Sequence, residues 1–393
     1  MTGHPDEPAL SGQEPTSPGP GRTSLPPWRW TLSEARIAEI DSALREARRR
    51  DLTLLRLTAA DFPLPGLAAG LAQVREALEH GRGFAVVRGI PVERLGETAA
   101  NTVFWGIGRH LGHPVPQNAD GLVLGHVRDT GPDPDDPFGP GPDDPSGPGQ
   151  EDFSGPGQDA ASVSRLEAHS VRHQDAPSRP GPRTRETPAF RTDPTDLLAL
   201  LALRTARTGA RVRLAGSAAV HDAVLERRPD LAERLHRTYH FDRRGEHAPG
   251  ERPWTAAPLV SRHDGPGGGP STRYDRGRIE SAQRFPDVPR LEPADRELFD
   301  LLDSVAASPE HRLDLDLMAG DLLLVNTHRV LHTPPAFGEH RPPDRSGHLL
   351  RLWLAFPGRP GGQDAPPWVT LRDVIRPRAT AAPRATNPRR NPA

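Results

Sequence analysis

The chain has 393 residues and a formal net charge of −2, so it offers no bulk charge to attract nucleic acid or an anionic membrane. It has no cysteine, which excludes disulfides, thiolate metal sites, iron–sulfur clusters and cysteine nucleophiles. All 50 basic residues are arginine, and the 47 prolines and 38 glycines are clumped, so part of the chain is expected to lie outside any packed core.

Residues 1–27, rich in Pro, Gly, Ser and Thr, read as a tail, and order is expected from Trp28 and Trp30. Thr31 or Ser33 can cap a helix that carries Ile37, Ile40, Leu44 and Ala47 at helical spacing. A second helix fits Leu67 to His80, followed by a strand over Phe84 to Arg88 and a third helix over Glu97 to Leu111. Leu122 to Val127 reads as a short strand. Residues 131–185 then repeat Ser-Gly-Pro-Gly-Gln at 146–150 and 154–158, a low-complexity insertion that serves either as an inert loop or as a lid.

From Pro188 the pattern is again that of a packed domain. Leu197 to Leu203 is a continuous apolar run suited to a buried strand, Thr208 to Ala210 turns the chain, and Val212 to Leu214 starts its return. Two short helices follow over Ala218 to Leu225 and Pro229 to Leu235, and a polar, Gly-rich section leads to a helix over Glu292 to Ala306. Leu313 to Leu317 alternates as a half-buried strand does, Gly320-Asp321 turns into Leu322 to Val325, and Leu349 to Phe356 gives the last strand. Helices come first and short strands gather late without βαβ alternation, which predicts an α+β fold on an antiparallel sandwich or barrel.

Asp193, His332 and Arg351 follow one another in the order of a 2-His-1-carboxylate iron site with an arginine anchor for a 2-oxoacid. The motifs around them are Phe190-Arg191-Thr192-Asp193-Pro194-Thr195-Asp196, Gly320 to Asn326 with Leu331-His332, and His348 to Leu354. With Gly83 to Gly89 and Gly112 to Asn118, they resemble the TauD/TfdA (clavaminate-synthase-like) iron(II)/2-oxoglutarate dioxygenases over most of residues 80–130 and 186–360. The resemblance implies a double-stranded β-helix, or jelly roll, flanked by helices. It implies Asp193 and His332 as ligands of Fe(II), and Arg351 as the partner of the distal carboxylate of 2-oxoglutarate. Such a protein would use O₂ to oxidise a small polar molecule, such as an amino acid in a bacterial specialised pathway.

Three positions depart from that family. Arg191 stands where the first histidine ligand belongs, and a guanidinium stays protonated and has no lone pair for iron. Val212 replaces a Thr or Ser, and Gly347 a second arginine for which Arg341 or Arg345 could compensate. A missing ligand leaves several arrangements open. His173-Gln174-Asp175 is itself an H-x-D triplet; His169 or His173 could complete a site with Asp193 and His332; His328 could approach the metal or steady its ligands; or Arg191 pairs with Asp193 and fills the site with an internal cation.

The Gly-rich stretches lack a strand-to-helix setting, no lysine is available for a phosphate loop, and the arginine clusters at 48–50, 227–228 and 389–390 have acids nearby and read as solvated faces. The expected organisation is a tail at 1–27, one jelly-roll domain at 28–376 with the 131–185 insertion, and a tail at 377–393, in a cytoplasmic protein with no nucleic-acid or membrane partner. Without the family's histidine, the competing expectation is a degenerate dioxygenase fold that binds a ligand or a partner.

Overall fold

The computed structural model describes residues 28–117, 121–128, 189–205, 209–245, 247, 250–263, 269–337 and 347–356. The elements in chain order are β1 (Arg29–Thr31), α1 (Glu34–Arg49), α2 (Leu67–Glu79), β2 (Phe84–Arg88), α3 (Val92–Leu111), β3 (His113–Val115), β4 (Leu124–Arg128), β5 (Leu197–Arg204) and β6 (Ala210–Gly216). There follow α4 (Ser217–Arg227), α5 (Ala232–Leu235), β7 (Thr238–Asp242), β8 (Trp254–Pro258), β9 (Val260–His263), β10 (Gly269–Thr272), α6 (Arg276–Ala282) and α7 (Pro293–Ala307). The last strands are β11 (Arg312–Leu317), β12 (Leu322–Asn326), β13 (Val330–His332), β14 (Ala336–Phe337) and β15 (His348–Ala355). The predicted tails and the 131–185 insertion lie outside the described residues, as do His169, His173, Asp175, Arg341 and Arg345.

Two sheets face one another. The larger runs β1-β2-β12-β5-β15, with β3 and β4 both on the outer edge of β15; the smaller runs β11-β6, with β13 and β14 both on the other edge of β6. Alternation along β5 explains how one apolar run serves two cores. Leu198, Leu200 and Ala202 point between the sheets and meet Val212, Leu214, Leu315 and Leu317 from the smaller sheet. Leu197, Ala199, Leu201 and Leu203 point the other way, onto Phe104, Ile107 and Leu111 of α3 and the rest of the helical layer. Each fully buried leucine of this kind contributes about 1.5–3 kcal/mol. Helices α4 and α7 cover the outer face of the smaller sheet through Val224, Leu298 and Phe299.

Four local findings refine the sequence reading. The third helix begins earlier, at Val92, but Gly96 at φ 71° breaks it, so the continuous part starts at Glu97. Ser33 occupies the first cap of α1, yet its side chain makes no capping bond. The polar section after Leu235 holds β7 to β10 and α6, whose apolar positions Tyr239 and Phe241 alternate along a single short strand. The return after Gly209 does not pair with β5, because β6 crosses into the second sheet.

Candidate active site

The loop from Arg191 to Asp196 enters β5 and is fixed on both sides. Arg191 and His332 exchange two backbone hydrogen bonds of 2.9 Å, which makes them directly opposed partners in an antiparallel rung. Thr192 N donates to Tyr274 O at 2.7 Å, and Tyr274 N donates to Thr192 Oγ1 at 2.9 Å. Thr195 Oγ1 donates to Leu354 O at 3.0 Å, and Asp196 accepts from Phe356 N at 2.9 Å. A loop held at so many points presents Asp193 as rigidly as a strand would.

Asp193, His332, Arg191 and Arg351 converge on one pocket, walled by Val127, Leu198, Leu200, Pro334 and Pro335. Asp193 Oδ2 accepts from Trp353 Nε1 at 3.1 Å and lies 3.7 Å from His332 Nε2; its Oδ1 lies 3.9 Å from Arg191 Nε. Burial pushes the Asp193 carboxyl up, but His332, Arg191, Arg351 and the Trp353 N–H outweigh it and hold the group below its ordinary value. Burial pushes His332 down to about 4, with Arg191 and Arg351 acting in the same direction. At neutral pH His332 is therefore uncharged, and the two arginines are the permanent charges that keep Asp193 ionised.

Arg351 extends from β15 opposite Gly125 of β4 and Leu200 of β5. Its Nε donates to Gln117 Oε1 at 2.6 Å, while Gln117 Nε2 donates to Val123 O and to Arg351 O at 2.8 and 2.9 Å. Gln117 thus aims the guanidinium, a role the sequence did not disclose although the residue lies in one of its motifs. Gly125 makes room for it, since a Cβ there would stand 2.8 Å from Gln117 Oε1.

These residues do not fit iron as they stand. Two neutral or anionic donors, Asp193 and His332, are present, and the third place holds a permanent cation. His328 does not supply the missing donor: its Nε2 contacts Asp196 Oδ1 at 2.8 Å and its Nδ1 contacts Ser271 Oγ at 2.8 Å, so both ring nitrogens serve to brace the loop. Val212 is buried between the sheets, and a Cβ at position 347 would collide with the Phe337 ring, so a longer residue there requires that ring to move. The pairing of Arg191 with Asp193 is present as a loose contact rather than a fork.

A second pocket lies on the other side of the same loop, at Thr192 and Pro194. It is lined by Asp242, Asp275, Arg243, Arg273 and Arg278 among others, an alternation of both charges. The arginine clusters at 48–50 and 227–228 sit in exposed ion pairs, Arg49 with Glu46 and Arg228 with Asp230 and Glu297. No helix among the described residues is long and apolar enough to cross a membrane.

Comparison with known proteins agrees with the fold. FR-33289 synthase of Streptomyces rubellomurinus is 28% identical over 335 residues, covering 83% of this chain and 85% of that protein. The taurine hydroxylase-like protein SAT17 of Stachybotrys chartarum is 27% identical over 326 residues, covering 82% of this chain and 73% of that protein. Among solved structures, an asparagine oxygenase with Fe(II), 2S,3S-3-hydroxyasparagine and succinate superposes with a TM-score of 0.53 at 16% identity, covering 84% of this chain and 94% of that one. The non-heme iron oxygenase OrfP with Fe, succinate and (3S)-hydroxy-L-Arg gives a TM-score of 0.52 at 17% identity, covering 83% and 93%. The profile described as "Taurine catabolism dioxygenase TauD, TfdA family" matches residues 48–353. The chain belongs to the TauD/TfdA family of iron-dependent dioxygenases.

Proposed function

We propose that the two facing sheets are a jelly roll whose pocket binds 2-oxoglutarate, or a dicarboxylate like it, through Arg351 and Arg191, without iron at Asp193. The carrying observation is the Arg191 guanidinium, 3.9 Å from Asp193 in the place of a metal ligand. Arg191 supplies one of the two positive charges that Fe(II) would bring, so with Arg351 and against Asp193 the pocket keeps a net attraction for a dianion. The same charge opposes a cation. Two unit charges 4 Å apart repel by about 4 kcal/mol at an effective dielectric of 20, and a dication doubles that to about 8 kcal/mol. On this reading the protein retains its family's co-substrate pocket as a ligand-binding site. The test is a thermal-shift series with 2-oxoglutarate in a chelating buffer, with and without added Fe(II) under argon. The reading requires stabilisation by the 2-oxoacid alone; stabilisation that appears only with Fe(II) would refute it.

A second reading keeps the activity: an Fe(II)/2-oxoglutarate oxygenase that oxidises a small polar molecule. Two observations favour it. Asp193 is ionised and His332 neutral, the protonation states that metal ligands need. The neighbouring pocket, lined by both carboxylates and guanidinium groups, suits a zwitterion such as an amino acid, the kind of molecule bound in the OrfP and asparagine oxygenase structures. This reading requires a third donor from outside the described residues. Production of succinate and carbon dioxide from 2-oxoglutarate, dependent on Fe(II) and abolished in His332→Ala, would decide for it.

A further inference from the structure

β15 carries Arg351 on its inner face and His348 on its outer face, where β4 and the start of the unbroken part of α3 meet. There His126 and His348, 222 positions apart in sequence, bring Nδ1 and Nε2 to 2.9 Å, with the rings stacked at 5.2 Å. Both side chains are buried, at 6% and 1% exposure, whereas Glu97 at 41% opens the cluster to solvent. Glu97 Oε1 lies 3.6 Å from His126 Nδ1, and Oε2 lies 3.7 Å from His348 Nδ1. Nothing in the proposed function uses this cluster, although Arg128, which bonds Glu97, also lines the Asp193 pocket.

We propose that Glu97, His126 and His348 form a second, structural binding site for a divalent transition-metal ion, Zn²⁺ in the first instance. Two imidazoles and one carboxylate are a donor set that Zn²⁺ accepts, with an outward fourth position left to water. The spacing agrees. Donors about 2.0–2.1 Å from a tetrahedral ion stand about 3.3 Å apart, and the nitrogen–nitrogen and nitrogen–oxygen separations of 2.9 and 3.6 Å bracket that value. The three donor atoms lie within 4.8 Å of one another. The 2.9 Å N···N contact holds one bridging proton, so coordination through both nitrogens requires that proton to move off them and makes uptake pH-dependent. Burial favours the neutral forms that coordination requires, pushing His348 down to about 3.

Two cations border the site, but Arg128 is 39% exposed and Arg204 is exposed, so solvent screens their repulsion of an ion, unlike that of Arg191, 20% exposed in the Asp193 pocket. Arg128 Nη2 donates to Glu97 Oε1 at 2.8 Å, and Arg204 Nη2 stands 3.5 Å from His348 Nδ1. Arg204 faces Nδ1, the ring nitrogen remote from His126, and as a donor it favours the ring proton on Nε2; its exposed side chain must swing away from Nδ1 for His348 to coordinate through Nε2. Arg128 shares Glu97 Oε1 with the ion, since a carboxylate oxygen has two lone pairs. Bound there, the ion would tie the helix that starts at Glu97, after the Gly96 break, to the edge pair β4–β15 behind Arg351.

The experiment uses the full chain, stripped with a chelator, in an Asp193→Asn background that removes the carboxylate of the other candidate site. Co²⁺ is titrated while the visible ligand-field bands are recorded, and Zn²⁺ is then added in competition. The expected result is saturable uptake of one equivalent with tetrahedral-type bands that Zn²⁺ abolishes, and an upward shift in melting temperature. Glu97→Gln, a substitution at a solvent-exposed carboxylate, should weaken Co²⁺ at least tenfold, and His126→Gln or His348→Gln should abolish the bands. Should either histidine variant fail to fold, ¹⁵N shifts of the imidazoles in the parent protein, with and without Zn²⁺, carry the same information. No uptake, no imidazole shift, or uptake that survives Glu97→Gln and both histidine substitutions would overturn the proposal.

Discussion

Replacing Arg191 by histidine tests the reasoning about the pocket most sharply, because one substitution changes two separable quantities. It removes a guanidinium whose Nε lies 3.9 Å from Asp193 Oδ1, and it offers an imidazole directly across the rung from His332. The backbone bonds of that rung do not involve the side chain, so the loop should keep its course. The electrostatic part alone is worth up to about 8 kcal/mol against a dication. The added donor is worth about 3 kcal/mol, taking roughly 10–16 kcal/mol for sites with four ligands. Even after heavy discounting for relaxation, the sum predicts Fe(II) affinity at least a thousandfold higher in Arg191→His than in the parent. Arg191→Gln separates the parts, since it removes the charge and adds no strong donor; it should recover an intermediate affinity. The assay is anaerobic Fe(II) titration with 2-oxoglutarate, read by the visible charge-transfer absorption of the chelate. A parent protein that binds Fe(II) as tightly as Arg191→His would refute the argument.

Other consequences follow from the same contacts. Gln117→Ala removes the acceptor of a 2.6 Å bond from Arg351, and should weaken 2-oxoglutarate binding about tenfold or more, from roughly 1.5–3 kcal/mol for a bond to a charged group; calorimetry checks it. Trp353→Phe removes the N–H held by Asp193 Oδ2, which should raise the Asp193 pKa, measurable by carboxyl NMR titration; an unchanged pKa would show that His332 and the arginines set it without the indole. Stability should fall as pH drops from about 6.5 towards 4, because His332 is held near 4 in the folded chain and titrates near its ordinary 6.5 when unfolded, so the unfolded chain binds more protons in that window. The His332 share is on the order of 3 kcal/mol, and urea unfolding of His332→Asn should show a shallower slope between those pH values. Below that window Asp193, whose carboxyl is depressed, adds a further loss as it protonates.

Much of the fold was legible because its elements are strongly patterned. The run Leu197–Leu203 and the alternation in Leu313–Leu317 name their strands directly. The region after Leu235 was not legible, since β7 to β10 are short and edge on polar turns, and Tyr239 and Phe241 were the one local signal. Motifs singled out Asp193, Arg191, His332 and Arg351, and the fold does bring all four to one pocket. Its supports were not, because Gln117 meets Arg351 across 234 positions and Trp353 meets Asp193 across 160. The Glu97, His126 and His348 cluster has no local signature at all, as three separate elements bring it together.

Calorimetric titration of the chelator-treated parent protein with 2-oxoglutarate measures metal-free binding through Arg351. The account predicts saturable binding without metal, lost in Arg351→Ala and unchanged or weakened when Fe(II) is added. Binding that requires Fe(II), or that persists in Arg351→Ala, would contradict it.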